Sequence, residues 1–197
     1  MLFCFTPGGL GVLGGEKPFM VHWIFIMFKN IILTGFMGVG KTSVGTRLAK
    51  DLGFTFADTD ELIEADQKTT ISGIFSAFGE AYFRDVEARI IKQVLENADQ
   101  VISTGGGAVI RDDNRKAFKE NGVTICLTAR PASIYARIKH ETHRPLLQCD
   151  DPLAKIRELL DARAKFYRQA DLIIDTSERS VEDVIGEIKE KVRYACC

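Results

Sequence analysis

The sequence predicts an α/β fold, a three-layer α/β/α arrangement in which helices cover both faces of a five-stranded parallel sheet. Short apolar runs alternate with longer stretches of helical periodicity, and glycine-containing turns separate many of them. Strands joined through helices run parallel, because the helix in a right-handed crossover returns the chain to the end of the sheet where the previous strand began. A parallel sheet is covered on both faces, which agrees with strand runs that are continuously apolar.

The elements of the first half follow in chain order. Residues 30–33 form an apolar run that ends in a glycine loop, as buried strands of this class do. Residues 41–52 have helical periodicity, and the glycine directly after them suits a C-terminal cap. A second short strand covers residues 54–57, and residues 61–78 have helical periodicity with a break near residues 69–73.

The second half repeats this alternation. Residues 80–97 form the clearest helix, because its apolar residues share one stripe. Prolines suit the first turns of two later helices. The remaining predicted strands are residues 101–103, 123–127 and 172–174, and the remaining predicted helices are residues 112–120, 131–140, 152–168 and 181–193.

Composition excludes several classes of protein. Hydrophobic residues make up 46% of the 197 residues and charged residues 27%, as in an ordinary globular domain. The formal net charge is −1, so no global charge attracts the chain to nucleic acid or to an anionic membrane. We therefore expect neither partner, and a bound anion must be held by a local cluster of positive groups. The five cysteines have no metal-ligand spacing, which favours reduced thiols in a cytoplasmic protein.

The first 26 residues differ in composition from the rest of the chain. They are rich in glycine and apolar residues, but the apolar run is shorter than the roughly 20 residues that span a bilayer. They also lack the basic region and the cleavage site of a secretory signal. We expect residues 1–26 to be a disordered extension and residues 27–197 to be the domain. An interfacial membrane anchor is the alternative for the extension.

Residues 35–42, GFMGVGKT, match the phosphate-binding pattern G-x-x-x-x-G-K-[ST] at every fixed position, with a predicted strand before them and a helix after them. Glycines let the backbone N–H groups surround phosphates, and the helix N-terminus adds positive potential. The lysine reaches the β- and γ-phosphates, and the threonine hydroxyl ligates Mg²⁺. The predicted ATP-binding residues of this loop are Gly38, Val39, Gly40, Lys41, Thr42 and Ser43.

The loop identifies a phosphate donor and leaves the acceptor open. The guanine-reading N-K-x-D pattern of GTPases is absent from the sequence, and 197 residues leave no room for the additional machinery of a motor ATPase. A compact kinase of a small metabolite is favoured.

Further polar clusters fall where strands end and helices begin, which is where open α/β sheets bind ligands. Asp58 and Asp60 follow the second strand, so one can help to hold hydrated Mg²⁺ while the other accepts a hydroxyl proton. Aspartates also commonly cap helices, and that interpretation stays open.

The other clusters also have a plain alternative. Arg84 lies early in a predicted helix, where the dipole disfavours a cation, although it can equally be a surface residue. The glycines at 105–107 allow close approach of a ligand or simply make a tight turn. Arg144 lies in an aperiodic segment that suits a mobile lid. Arg163 and Tyr167 share a helix face that is either functional or solvated.

Six motifs in this order and spacing resemble the shikimate kinase family. They are GFMGVGKT (35–42), DTD (58–60), GEAYFR (79–84), TGGG (104–107), RPLL (144–147) and RAKFYRQAD (163–171). The resemblance covers the chain from about Met27 to its end. It implies a P-loop NTPase fold of the nucleoside monophosphate kinase-like type, with a lid around residues 141–151.

The resemblance also implies roles in the acceptor site. Asp60 would hydrogen-bond the acceptor hydroxyl, and Arg84 and Arg163 would hold the shikimate carboxylate. The backbone of Gly106 would meet a ring hydroxyl. A planar guanidinium suits bidentate binding of a carboxylate.

In the donor site, Arg144 would come down with the lid onto the transferring phosphate. Arg137 resembles the arginine that stacks on adenine, and Arg179 would lie near the same base. Thr42 and Asp58 would hold the Mg²⁺ that accompanies ATP. Phosphoryl transfer depends on positioning and charge neutralisation more than on covalent help. The predicted catalytic residues are Lys41, Asp60 and Arg144.

The resemblance implies ATP-dependent phosphorylation of the 3-hydroxyl of shikimate in aromatic amino-acid (chorismate) biosynthesis. We expect a monomeric enzyme in the cytoplasm with two small-molecule substrates, ATP and shikimate. A gluconate-type sugar-acid kinase is one alternative, which the FR, GGG and RPLL elements disfavour. A non-catalytic ATP-binding regulatory domain is another, and it would not need the acceptor residues.

Overall fold

The computed structural model describes residues 29–139 and 151–194. It contains one parallel sheet with the strand order β2-β3-β1-β4-β5. The strands are β1 (Asn30–Thr34), β2 (Thr55–Asp58), β3 (Gln100–Ser103), β4 (Val123–Thr128) and β5 (Leu172–Asp175). The predicted five-stranded parallel sheet is therefore confirmed, and each predicted strand differs by at most one residue at either end.

Helices connect the strands and cover both faces of the sheet. They are α1 (Lys41–Leu52), α2 (Thr59–Gln67), α3 (Ile71–Leu95), α4 (Asp112–Asn121), α5 (Pro131–Ile138), α6 (Pro152–Tyr167) and α7 (Val181–Tyr194), with a short 3-10 turn at Ala108–Ile110. None of these helices is long and apolar enough to cross a membrane.

The predicted break near residues 69–73 is present, because α2 ends at Gln67 and α3 begins at Ile71. The Thr70 side chain caps the new helix by accepting from Gly73 N. The predicted boundary between two helices at residue 79 is also present. Gly79 has a φ of 80° and a ψ of 177°, which are not helical, so α3 consists of two helical segments that meet at a kink there.

The two faces of β1 have different partners. Ile31 and Leu33 belong to a core cluster with residues of α1, α5, α6 and α7. Ile32 belongs to a second cluster with residues of α3 and α4, together with Cys126, a free and buried thiol. Side chains that alternate along β1 thus pack into two hydrophobic cores, one on each face of the sheet. This is the three-layer arrangement that the apolar runs predict.

All five strands run in the same direction, so their carboxyl ends lie along one edge of the sheet. The loop after β1, the start of α2 after β2, and the glycines after β3 meet at this edge. The predicted extension (residues 1–26) and the lid segment up to residue 150 lie outside the described residues.

Candidate active site

The loop between β1 and α1 has the backbone that its glycines predict. Gly35 and Gly40 have φ values of 133° and 95°, in a region that other residues rarely adopt. A Cβ on Gly35 would lie 2.1 Å from the carbonyl oxygen of Leu127, so this position has no room for a side chain. The close approach brings the loop down onto the end of β4.

Lys41 is the first residue of α1 and reaches back over this loop. Its Nζ donates to the carbonyl oxygens of Gly35 and Phe36, at 3.0 Å in each case. The ammonium group is therefore placed on the loop itself, next to the helix N-terminus that adds positive potential for an anion.

Thr42 and Asp58 come together across the edge of the sheet. Thr42 Oγ1 donates to Asp58 Oδ2 at 3.1 Å, while Asp58 Oδ1 accepts from Asp60 N at 3.0 Å and caps α2. The helix-cap interpretation of Asp58 is therefore confirmed, and the oxygen that does not cap the helix contacts Thr42. A hydroxyl beside a carboxylate oxygen is a donor pair that suits Mg²⁺, which prefers oxygen ligands and is usually bound through few protein groups.

The three glycines after β3 each lie against a different predicted acceptor residue. A Cβ on Gly105 would lie 2.8 Å from Asp60 Oδ1, and one on Gly107 would lie 2.5 Å from Arg84 Nη2. A Cβ on Gly106 would lie 3.6 Å from Arg163 Nη1. The glycine strip therefore lets one carboxylate and two guanidinium groups approach the same stretch of backbone.

Arg84 lies between two carboxylates of α3. It donates to Glu80 Oε1 and, at 2.8 Å, to Glu87 Oε2. The Glu80 side chain is 65% exposed, whereas the Glu87 side chain is only 1% exposed. The pair with Glu87 fixes the guanidinium toward Gly107, because a buried partner has little freedom to move.

Glu87 was not predicted from the sequence. Its Oε1 is buried without a hydrogen-bond partner among the described residues, and a Cβ on Gly105 would lie 2.8 Å from it. Burial raises the pKa of Glu87 above its ordinary value, and the nearby charge of Asp60 acts in the same direction. A signal existed, because this charged residue falls on the apolar stripe that Phe83 and Ile91 also occupy at helical spacing.

Arg163 and Tyr167 line the same region from α6. The Arg163 guanidinium carbon lies 5.5 Å from the centre of the Phe36 ring, a cation–π contact with the phosphate loop. Tyr167 Oη donates to the carbonyl oxygen of Gly106 at 2.7 Å. Burial raises the pKa of Tyr167 to about 12, so the phenol keeps the proton that it donates.

The two arginines predicted near the adenine base both contact the turn after β5. Arg137 donates through Nη1 to the carbonyl oxygen of Gly38 at 3.2 Å and through Nη2 to the carbonyl oxygen of Thr176. Arg179 donates to the carbonyl oxygen of the preceding residue, Asp175, at 3.1 Å, and it also pairs with Glu187 of α7. Arg144, the predicted lid arginine, lies outside the described residues.

The fold and this site define a P-loop kinase: a parallel sheet with a phosphate loop after β1 and a cluster of charged side chains around the glycine strip at the same edge. The family model described as shikimate kinase matches residues 37–193. The chain belongs to the shikimate kinase family, and it is an ATP-dependent kinase.

Individual relatives agree. The chain is 51% identical to the shikimate kinase of Thermodesulfovibrio yellowstonii over 160 residues, which are 81% of this chain and 92% of the relative. The structure of the Acinetobacter baumannii shikimate kinase in complex with shikimate has a TM-score of 0.84 at 34% identity, covering 88% of this chain and 98% of that one. A gluconokinase from Sinorhizobium meliloti has a TM-score of 0.53 at 14% identity over 85% of this chain and 93% of that one, a likeness that shows the fold alone.

Proposed function

We propose that this chain transfers the γ-phosphoryl group of ATP to the 3-hydroxyl of shikimate, giving shikimate 3-phosphate for aromatic amino-acid biosynthesis. One observation carries the proposal: Asp60, Arg163 and Arg84 lie in turn against Gly105, Gly106 and Gly107. A hydroxy acid needs one carboxylate and two guanidinium groups in this arrangement. Its own carboxylate requires cations, and its reacting hydroxyl requires a proton acceptor.

On the donor side, the N–H groups of the phosphate loop and Lys41 hold the phosphates of ATP. The loop contributes Gly38, Val39, Gly40, Thr42 and Ser43. Lys41 neutralises the charge that the β- and γ-phosphates carry during transfer. Arg137 and Arg179 donate to the neighbouring carbonyl oxygens of Thr176 and Asp175, which supports their proposed position beside the base. Arg144 approaches the transferring group from the lid.

On the acceptor side, Asp60 accepts the hydrogen of the 3-hydroxyl and orients its oxygen toward the phosphorus. Arg84 and Arg163 hold the carboxylate at the other end of the ring, and the backbone of Gly106 meets a second ring hydroxyl. Holding the acceptor at both ends fixes the hydroxyl in line with the donor, and such positioning is the main contribution a kinase makes.

Thr42 and Asp58 are the residues that would hold Mg²⁺. The ion supplies charge neutralisation on the phosphates when it is bound. Their oxygen atoms, 3.1 Å apart, are of the type that this ion prefers.

We further propose a monomer in the cytoplasm that acts only on small molecules. The free, buried thiol of Cys126 supports a reducing compartment. The formal net charge of −1 supports the exclusion of nucleic acid and membrane surfaces as partners.

The test uses shikimate, its methyl ester and gluconate as acceptors with ATP. We expect turnover of shikimate, poor turnover of the uncharged ester, and none of gluconate. Arg84→Ala and Arg163→Ala should each lower kcat/KM for shikimate roughly ten- to hundred-fold, because each removes a charge-assisted hydrogen bond worth about 1.5–3 kcal/mol.

The ester is also the control for these two variants. Each alanine variant should lose less activity on the ester than on the acid, because the group that the arginines hold is already neutral. Equal losses on acid and ester would make the arginines structural and would contradict the carboxylate assignment. Efficient turnover of gluconate would contradict the proposed acceptor.

A further inference from the structure

Thr176, the first residue after β5, lies on the outer side of the phosphate loop. It is 3% exposed, and its hydroxyl donates to the carbonyl oxygen of Val39 at 2.9 Å. The carbonyl oxygen of Thr128 is a second acceptor at 3.1 Å. A hydroxyl has one proton to donate, and the shorter distance favours Val39. Nothing in the proposed function so far uses this residue.

Arg137 completes the arrangement from the last turn of α5. Its Nη1 donates to Thr176 Oγ1 at 3.0 Å and to the carbonyl oxygen of Gly38 at 3.2 Å. Its Nη2 donates to the carbonyl oxygen of Thr176 at 2.5 Å. We call Arg137 and Thr176, with their bonds to the Gly38 and Val39 carbonyls, the outer latch.

Planar peptide geometry gives the outer latch a consequence on the inner side of the loop. In a trans peptide, the carbonyl of one residue and the N–H of the next point in opposite directions. Holding the carbonyls of Gly38 and Val39 from outside therefore directs the N–H groups of Val39 and Gly40 to the opposite side. These are the groups that the phosphates of a bound nucleotide require.

We propose that Thr176 is a positioning residue for nucleotide binding, which acts by fixing the orientation of these two peptide groups and of the Arg137 guanidinium. The inference deepens the proposed function and rests on it in one respect, that the phosphate donor is ATP.

The turn that carries Thr176 is held by hydrogen bonds within the protein. Thr176 N donates to the carbonyl oxygen of Thr128 at 2.8 Å. Asp175 Oδ1 accepts from both Ser177 N and Ser177 Oγ, at 2.9 and 2.7 Å. Arg130 N donates to Ser177 Oγ at 2.8 Å, which ties the turn to the start of α5. The hydroxyl of Thr176 is thus held in place from its own backbone.

The loop is also in direct contact with α5. A Cβ on Gly38 would lie 2.6 Å from Ile138 Cγ2, so the crest of the loop rests on the helix turn that carries Arg137. The Ile138 methyl group thus packs directly against the loop backbone, and this contact couples the position of α5 to that of the loop.

The experiment replaces Thr176 by Val, by Ala and by Ser. Valine keeps the shape of threonine and removes the hydroxyl. Alanine also removes the hydroxyl, but it places no methyl group against the Val39 carbonyl. We expect both to raise the Kd for ATP, measured by calorimetry without acceptor, on the order of tenfold, the equivalent of about one hydrogen bond. KM for ATP should rise in parallel, while KM for shikimate at saturating ATP stays within about twofold of the parent value.

Two comparisons separate positioning from a general loss of stability. Thr176→Ser restores the hydroxyl and should bind ATP within about threefold of the parent. Thr128→Val is the matched control on the neighbouring strand, since the Thr128 hydroxyl contacts the carbonyl of Ile174 and its backbone carbonyl is retained. That variant should leave the Kd for ATP unchanged even if its Tm falls.

The proposal is overturned if folded Thr176→Val and Thr176→Ala both bind ATP within about twofold of the parent. It also fails if serine is as damaging as valine, if Thr128→Val has the same effect on ATP, or if neither Thr176→Val nor Thr176→Ala folds. Because calorimetry needs no acceptor, a failure of the proposed acceptor chemistry, seen as a parent that does not phosphorylate shikimate, is read separately.

Discussion

Glu87 occupies a position on α3 that an apolar side chain would fill at lower cost, because burying a carboxylate strips its water. The residue is 1% exposed, and the side chain that it contacts through Oε2 is that of Arg84. Without that bond, the exposed Glu80 and the Phe83 ring, 5.1 Å from the guanidinium carbon, would still contact Arg84, and its direction toward Gly107 would be less strongly fixed. We infer that this chain tolerates a buried acid in order to orient a binding arginine.

The raised pKa of Glu87 gives a prediction about stability and pH. A carboxyl whose pKa is higher in the folded than in the unfolded chain stabilises the fold below its ordinary pKa, and that contribution is lost as pH rises through the raised value. Glu87→Gln removes the pH-dependent loss of stability, because glutamine does not titrate. The Tm of the variant, relative to that of the parent, should therefore increase between about pH 4.5 and about pH 8. Thermal melts at both pH values measure it.

Glu80→Gln is the matched control, because it removes the other carboxylate that Arg84 contacts, on the exposed side. Its relative Tm should not increase with pH in the same way, since an exposed carboxylate keeps its water. A relative Tm of Glu87→Gln that falls as pH rises would mean that the ion pair with Arg84 outweighs the cost of burial.

At the scale of elements, α3 contacts both α2 and the glycine strip because it is kinked at Gly79. Before Gly79, the helix is tied to α2, where Glu64 Oε1 accepts from Ile71 N. After Gly79, it carries Arg84 and Glu87 to the glycine strip and joins the core through Ile90. A straight helix through residue 79 would not keep both sets of contacts. The local backbone of one glycine thus sets the position of Arg84, the proposed carboxylate-binding residue.

Gly79→Ala should destabilise the protein by about 1–3 kcal/mol, because this combination of φ and ψ is essentially restricted to glycine. A Cβ at residue 79 meets no atom within 4 Å, so the penalty is backbone strain rather than a clash. Chemical denaturation measures it. KM for shikimate should rise as well, since relief of the strain moves Arg84.

Gly186→Ala on α7 is the matched control for this substitution. A Cβ there also meets no atom within 4 Å, and no positive φ occurs at this position. In a helical backbone alanine is preferred to glycine by roughly 0.5–1 kcal/mol. Gly186→Ala should therefore stabilise the protein. Equal effects of the two substitutions would show that residue 79 carries no backbone strain.

At the scale of the whole molecule, all five strands of the observed sheet lie between residues 30 and 175. Its first strand begins with Asn30, which is buried and whose side chain donates to the carbonyl oxygen of Asn97 and accepts from Gln100 N. Lys29, directly before it, donates to the carbonyl oxygen of Leu95. Within the part of the chain that the structure describes, residues 29 and 30 thus hold the start of β1 in place.

Deleting residues 1–26 should leave Tm and kcat/KM for shikimate nearly unchanged, because the anchoring contacts remain. Deleting residues 1–30 is the control and should lower Tm, since it removes the buried Asn30 and its hydrogen bonds. Thermal melts and steady-state assays of both truncated chains measure these outcomes. If the chain without residues 1–26 is insoluble or inactive, those residues belong to the fold.

The sequence by itself determined the features whose residues are neighbours in the chain. Apolar runs and helical periodicity predicted all five strands. The phosphate loop could be recognised because its glycines, Lys41 and Thr42 lie within eight consecutive residues. The family motifs also picked out Asp60, Arg84 and Arg163, which the fold brings to one glycine strip. Local backbone preference and short-range spacing are sufficient for such features.

Only the tertiary structure decided which distant residues meet. Val39 and Thr176 are 137 positions apart, and their hydrogen bond exists because the sheet order and the packing of α5 bring the ends of β1 and β5 together. Glu87 lies on an apolar helix stripe in the sequence, but which groups surround its carboxylate depends on the packing of α3 against the glycine strip. Burial, pKa and long-range hydrogen bonds depend on neighbours in space, and spacing along a single chain does not specify those neighbours.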